Sequence, residues 1–392
     1  MGKPAQRVML ATVREDLTST EVLQDELPPL QENEIRLQVD KVGLATNNLF
    51  YLQMGEAPFL KFFSVYPLPK TYKHLAIMPA WGVATVIETE NTDFKVGERF
   101  RGFLHMTNVV QMKARRTPEG FTAYGDKRGA LNQAYHGFLE VKETGASPIA
   151  GTGDKADLAM TAAPGALSGF ILSELLQMHD FYGGNRIVLT SASSKLSLAT
   201  ALLLQDARSS GALNGVIGYT SAHNNRFVEK TGLYDRVLDF DESLAQDHGA
   251  RHVLVDVAGD AAVFKRNKTN IVKALAVGGT HATAEASTFT AFGPSGLVKM
   301  FIDMMGPQWL KSWASRSLDP RLEMFFAPTV ITELLARCGQ NEMERKSDDA
   351  LQRFVDAAID GGWITVQRSE DVTSIQQAYA NIVSGKVPPS DA

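Results

Sequence analysis

One cysteine, Cys338, stands among 392 residues. A lone thiol excludes an internal disulfide framework and the multi-cysteine sites that hold structural zinc. Charge of one sign is lacking too: 39 Lys and Arg against 44 Asp and Glu leave a net charge of −5. No basic excess marks a nucleic-acid footprint, so no nucleic-acid partner is expected. No apolar run reads as long enough to span a bilayer, and no membrane partner is expected. The opening MGKPAQRVMLATVRED lacks the apolar core of a signal peptide, so a cytoplasmic location is the default. Repeats and low-complexity tracts are absent. What is present is 44% hydrophobic and 21% charged, the balance of a folded globular chain. The length suits two domains.

Up to about residue 150 the sequence reads as β-rich. Glu34–Lys41 alternates apolar and polar residues, Trp81–Glu88 is strand-like, and Asn91–Gly97 turns into Glu98–Phe103, as half-buried strands do. Lys113–Gly153 is polar and rich in Gly, Thr and Pro, which predicts a surface excursion or an active-site loop. Beyond residue 160 the period changes. Pro164–Met178 reads as an amphipathic helix. Strand signals at Gly215–Thr220, Val237–Phe240 and His252–Val257 alternate with helical ones at Arg226–Thr231 and Ile271–Leu275. Alternation of this kind predicts a parallel sheet with helices on both faces. Leu297–Trp313 carries methionines and aromatics at helical spacing, read as core packing ahead of a substrate lid or dimer face. Gly361–Gln367 looks like a strand and Val372–Ile382 like a helix.

The most informative stretch is Arg186–Gln205, RIVLTSASSKLSLATALLLQ. An apolar strand enters a turn of small hydroxyl residues, and a helical pattern follows. Such a turn gathers backbone N–H groups where the helix dipole is positive, which makes a phosphate cradle. In an α/β sheet that cradle usually holds a dinucleotide. The Gly-x-Gly-x-x-Gly fingerprint is missing. Its place is taken by Ala192, Ser193, Ser194, Lys195, Leu196 and Ser197. Ser193 and Ser194 are good N-cap types. Lys195 puts a cation against the dipole, a cost that a bound anion would offset; the plainer reading is a solvated lysine.

These segments, in this order, resemble the medium-chain dehydrogenase/reductase superfamily, in its zinc-free quinone-oxidoreductase and enoyl-reductase branch. LPPLQENEIRLQVDKVGLATNNLFYLQMG from Leu27 is similar to the opening GroES-like strands. MPAWGVATVIETENTDFKVGERFRGF from Met78 is similar to the stretch that ends in the family's Val-Gly-Asp-Arg-Val. TAAPGALSGFILSELLQ, HVLVDVAGD and VGGTHA resemble the leading helix and later strands of its nucleotide domain, and the segment from Phe354 to Lys386 resembles its C-terminal return. A domain-of-unknown-function group with a similar Ser-Ser-Lys turn lies near. The resemblance implies an α/β fold, a GroES-like β-rich domain plus a Rossmann-type doubly wound parallel sheet. Residues 1–155, completed by 362–392, would form the substrate domain. Residues 156–361 would form the dinucleotide domain, with a helical insertion at about 283–340. The family's last strand would be short or absent.

The resemblance also assigns residues. Where a zinc ligand would fall, the chain has Ala45, Thr46, Asn47 and Asn48, so no metal is expected. Without a Lewis acid, reduction of an already activated acceptor fits better than oxidation of a plain alcohol. NAD-binding folds place an acid after the second strand. Here Thr220 and Ser221 lead to His223, Asn224 and Arg226, and no acid appears before Glu229. Hydroxyls, amides and an arginine suit a 2′-phosphate, so NADP(H) is favoured. Gly278, Gly279 and Thr280 match the segment that lies against the nicotinamide. Tyr51 follows Asn47 and Asn48 in the substrate-facing segment, where a phenol could protonate an enolate and the amides could orient a carbonyl. Tyr135 is the second proton-donor candidate. For each tyrosine a structural aromatic is the plainer alternative. Asp256 is read as structural, as are the lone histidines His74, His105 and His281.

The expected function is a zinc-independent NADPH-dependent oxidoreductase that reduces a quinone-like or α,β-unsaturated carbonyl by hydride transfer in the crevice between two domains. The alternative is a dinucleotide-binding sensor or partner-binding protein without turnover. An α/β hydrolase would need a Gly-x-Ser-x-Gly elbow, and none is found. A homodimer through the edge of the nucleotide sheet is implied by the resemblance alone.

Overall fold

The computed structural model describes residues 5–45, 47–53, 55–56, 61–125, 128, 131, 135–141, 153–244, 249–259, 261–277, 302, 307, 309–310, 313–314, 321–325 and 327–391. The chain divides into two compact units: residues 1–161 with 365–392, and residues 162–364.

Unit 1 is β-rich. β1 (Ala5–Val13) and β2 (Asp16–Leu27) form a sheet with β4 (Leu75–Ile77) in the order β2-β1-β4. β3 (Glu34–Val42), β5 (Pro79–Thr89), β6 (Arg99–His105), β7 (Val109–Thr117), β8 (Gly120–Tyr124) and β9 (Gly137–Glu140) close into a barrel in the order β3-β5-β6-β9-β8-β7. Closure leaves no open edge. Alternation selects the inner face: Ile35 and Leu37 of β3 and Val110, Met112 and Ala114 of β7 point into one core with Phe100, Phe121 and Phe138. Phe121 and Phe138 stack at 4.5 Å. Gly102 makes room for them, since a Cβ there would stand 2.2 Å from the Phe138 ring. Arg36 is buried on the other face, where it pairs with Glu88 and donates to Gln111 Oε1 and the Pro28 carbonyl.

The barrel corrects the expectation of a surface excursion at Lys113–Gly153. β7 continues to Thr117, and β8 and β9 complete the closure. Lys113 and Arg115 face outward from β7 while Met112 and Ala114 between them are buried. Polar composition therefore hid a period-two strand. Residues 126–127, 129–130, 132–134 and 142–152 lie outside the described residues. α1 (Asn47–Gln53) sits between β3 and β4. The C-terminal helix Val372–Val383 carries a capping box between Asp371 and Ser374. It buries Tyr379 beside Met9, Leu10 and Leu75, and the phenol donates to the Leu17 carbonyl at 2.7 Å.

Unit 2 is a six-stranded parallel sheet in the order β12-β11-β10-β13-β14-β15: β10 (Arg186–Leu189), β11 (Gly215–Thr220), β12 (Arg236–Asp239), β13 (His252–Asp256), β14 (Ile271–Ala276) and β15 (Leu322–Met324). β11 and β13 are buried at every residue, as parallel strands covered on both faces are. α2 (Asp154–Met178) leads in; then come α3 (Lys195–Leu203), α4 (Gln205–Ser209), α5 (Ala222–Thr231), α6 (Ala261–Asn267), α7 (Ala327–Cys338) and α8 (Gln340–Asp360), before the C-terminal helix of unit 1, α9.

Four readings change here. Ile271–Leu275 is a strand, not a helix; the helix is α6, just before it. A six-residue apolar run cannot declare its own period. Gly361–Gln367 is not a strand, and only Thr365 makes an isolated bridge, to Asp391. The 283–340 insertion is not purely helical, because Leu322–Met324 is the sheet's sixth strand; most of 283–320 lies outside the described residues. Finally, α2 begins ahead of Pro164 and is buried or half-buried along most of its length rather than along one stripe. It is long and apolar enough to cross a bilayer, contrary to the first reading, yet most of its apolar window is buried inside the protein.

Candidate functional site

In unit 2 the chain runs from β10 to β11 on one side and later to β13 on the other. The point where strand order reverses is where open α/β sheets bind ligands. The turn after β10 lies there. Ser194 caps α3, its hydroxyl accepting from Ser197 N at 3.2 Å. The Leu198 amide donates to the Ser194 carbonyl at 2.9 Å, and the amides ahead of Ser197 lie in the first turn, where a helix has no acceptors of its own to offer. Ser193 Oγ accepts from Asn224 Nδ2 at 3.3 Å, so two sequence-nominated residues from adjacent turns meet. Lys195 and Leu196 open the helix and are half-buried.

Serine replaces glycine in this turn at a visible backbone cost. Ser191 holds φ of +48°, a left-handed conformation that costs an ordinary residue roughly 1–2 kcal/mol. Its hydroxyl is buried and has no hydrogen-bond partner. Close approach is provided from outside the turn. A Cβ on Gly169 of α2 would stand 2.8 Å from the Leu196 carbonyl. One on Gly218 of β11 would stand 2.7 Å from Ala192 Cβ and 2.9 Å from the Tyr234 ring.

Thr190 fixes the floor. Its fully buried hydroxyl donates to Asp256 Oδ1 at 2.7 Å and accepts from the amides of Val257 at 2.8 Å and Ala258 at 2.9 Å. Asp256 Oδ1 also accepts from Gly259 N at 3.0 Å, and Ser197 Oγ donates to the Thr190 carbonyl at 2.9 Å. One residue thus ties β10 to the end of β13 through its side chain and to α3 through its carbonyl. Thr220 is buried at the end of β11. Ser221 begins α5 with its hydroxyl 3.1 Å from His223 Nδ1, and Arg226 is exposed on that helix. Gly278, Gly279 and Thr280 lie outside the described residues, as does His281.

In unit 1, packing unites the two nominated tyrosines. Tyr51 and Tyr135 stand with ring centroids 6.4 Å apart in a cluster with Phe62, Phe103 and Trp81. Trp81 Nε1 donates to the Tyr51 hydroxyl at 2.9 Å. Tyr135 lies 4.7 Å from Phe103 and 5.1 Å from Phe62. Asn48 is placed differently from its expected role. Its Oδ1 accepts from Ala45 N at 2.7 Å and its Nδ2 donates to the Pro79 carbonyl at 3.0 Å. Both ends of the amide brace α1. Asn47 opens α1, and its side chain lies outside the described residues.

The model of a family described as Protein of unknown function (DUF2855) matches residues 42–388. The chain belongs to the DUF2855 family. No curated protein matches it. Among solved structures it is similar to CurA from Vibrio vulnificus, solved in complex with NADPH: 14% identity, TM-score 0.56, 98% of this chain and 97% of that one covered. It is also similar to a quinone oxidoreductase of Pseudomonas syringae pv. Tomato DC3000: 15% identity, TM-score 0.51, 98% of each chain covered. At such identity the likeness is one of fold: a β-barrel unit and a parallel α/β sheet in one chain.

Electrostatics separate the polar groups of this DUF2855 chain. Burial raises the Tyr135 phenol far above its ordinary value, and the neighbouring Tyr51 adds to the rise. Burial also raises Tyr66, against the opposing pull of the Arg128 guanidinium. His105 is driven well below the usual imidazole range, first by burial and then by the charges of Arg7 and Arg128, so its ring is neutral near pH 7. Ser191, Thr190, Tyr66 and Arg128 were not nominated from sequence. Ser191 and Thr190 adjoin the hydroxyl turn and were within reach of that reading. Tyr66 and Arg128 carry no local signal, because they meet only across 62 residues of chain. Among the described residues, no three His, Cys, Asp or Glu side chains gather as metal ligands would.

Proposed function

We propose that this chain is an NADPH-dependent, zinc-independent reductase of a quinone-like or α,β-unsaturated carbonyl compound. The observation that carries the reading is the turn at the β10/β13 reversal, with a serine-capped helix start, a buried unspent hydroxyl on Ser191 and Lys195 in the first helical turn. These groups fit a pyrophosphate: helix-start amides and a cation suit an anion, and the dipole adds to them. Asn224, Ser221 and Arg226 supply donors but no carboxylate, which suits a 2′-phosphate. The NADPH found with CurA agrees with this choice. Bound NADPH supplies the hydride. The chain's own part is to hold a flat acceptor against the aromatic cluster of unit 1 and to offer a phenol proton from Tyr51 or Tyr135.

A second reading, a dinucleotide-binding protein without turnover, is favoured by one observation: Tyr135 is held so strongly protonated that it is a weak acid. Calorimetry with NADPH and NADH on the full chain tests the shared part. NADPH should bind more tightly, and Lys195→Ala should weaken it roughly 10-fold. Absence of NADPH binding refutes both readings. Binding without NADPH oxidation across a panel of quinones and enones selects the second.

A further inference from the structure

Two buried side chains in unit 1 are left unexplained by the fold. Arg128 is only 4% exposed. Its Nη1 donates to the Tyr135 carbonyl at 3.3 Å and its Nη2 to the Tyr66 hydroxyl at 2.5 Å. Its guanidinium lies 5.2 Å from the Tyr66 ring centroid and 5.6 Å from that of Phe138. All these partners are neutral, and no carboxylate among the described residues reaches it. Arg36, equally buried in the same barrel, pairs with Glu88. A guanidinium taken out of water without a counter-charge is costly, and buried charges are ordinarily paired.

His105 is 1% exposed, and neither ring nitrogen has a hydrogen-bond partner. Its ring lies 3.7 Å from that of Tyr66, whose hydroxyl is the one Arg128 holds. A neutral imidazole offers one N–H donor and one acceptor, and both are unspent. A buried cation with no anion among the described residues and a buried donor without an acceptor therefore share one neighbour.

We infer that Arg128, His105 and Tyr66 form a recognition site for the carboxylate of a planar conjugated molecule. A carboxylate accepts from a guanidinium in fork geometry and has lone pairs left for an imidazole N–H. Planarity follows from what adjoins. The Tyr135 carbonyl that Arg128 holds belongs to a ring packed on Phe103 and Trp81, and the Tyr66 hydroxyl donates to the Phe103 carbonyl at 3.3 Å. The inference rests on the reading of unit 1 as the acceptor-binding part, and it narrows the acceptor to one with an acidic substituent.

The test compares acid and amide of one skeleton on the full-length protein, by tryptophan fluorescence and calorimetry without NADPH: benzoate with benzamide, cinnamate with cinnamamide, naphthoate with naphthamide. At least one acid should bind roughly 10-fold more tightly than its amide. Arg128→Gln should abolish that advantage while leaving the amide's affinity unchanged. His105→Phe, which keeps a ring and removes both nitrogens, should reduce it severalfold and stands in should Arg128→Gln fail to fold. Equal affinities in every pair, including no binding of any, overturn the inference, as does an advantage that survives the substitutions. Acid preference in a protein that does not bind NADPH would refute the proposed function and leave this site standing.

Discussion

The aromatic cluster of unit 1 and the hydroxyl turn of unit 2 are built by different physics. The cluster draws Tyr51, Phe62, Trp81, Phe103 and Tyr135 from α1, β5, β6 and the loops between strands. Its members touch through ring edges and faces, and apolar burial holds it. The turn is nearly continuous in sequence, from Thr190 to Ser197, and hydrogen bonds hold it. Packing tolerates no lost volume, whereas a hydrogen-bonded turn tolerates changes of shape and suffers when a donor or acceptor is orphaned.

That contrast sets the order of expected effects. Phe103→Ala empties the centre of the cluster, where the ring is fully buried, and should cost about 3–5 kcal/mol in urea unfolding. A loss below about 1 kcal/mol would break the comparison by showing that the cluster is not held by packing. Thr190→Val keeps the shape but orphans the Val257 and Ala258 amides and removes one of the two hydrogen bonds that Asp256 Oδ1 accepts. A cost of about 2–3 kcal/mol is expected, with Thr190→Ser restoring most of it. If valine is tolerated as well as serine, shape rather than hydrogen bonding governs the turn. Ser191→Gly is the smallest change. Relief of the left-handed serine should leave stability within about 1 kcal/mol of the parent, on the stabilising side. NADPH affinity should nevertheless fall, because the buried hydroxyl is lost. Unchanged affinity in calorimetry would show that Ser191 serves the backbone alone.

The same contrast explains what was legible beforehand. The strand-turn-helix at Arg186–Gln205 announced itself because every part of it is local: an apolar run, cap-type hydroxyls, then a helical period. Long buried strands such as Gly215–Thr220 were equally plain. Ile271–Leu275 was misread because a short apolar run carries no period of its own. Lys113–Gly153 was misread because Lys113, Arg115 and the polar turns between strands mask the inward residues that build the barrel. Tyr51 and Tyr135 were each visible as candidates, but nothing local said that they share one cluster. The bracing role of Asn48 was equally hidden, since its partner is the carbonyl of Pro79, far along the chain.

The sequence by itself determined the α/β class, the ordering of a β-rich part before a parallel sheet, and the place of the hydroxyl turn. Each of these is written in periodicity and short-range chemistry. Only the tertiary structure decided that Ser191 takes a left-handed backbone, that Gly169 and Gly218 provide the close approach the turn lacks, and that Arg128 is buried beside His105 and Tyr66. Those outcomes depend on which distant segments share a core, and burial turns a neutral or charged side chain into a costly or useful one only after the chain has closed around it.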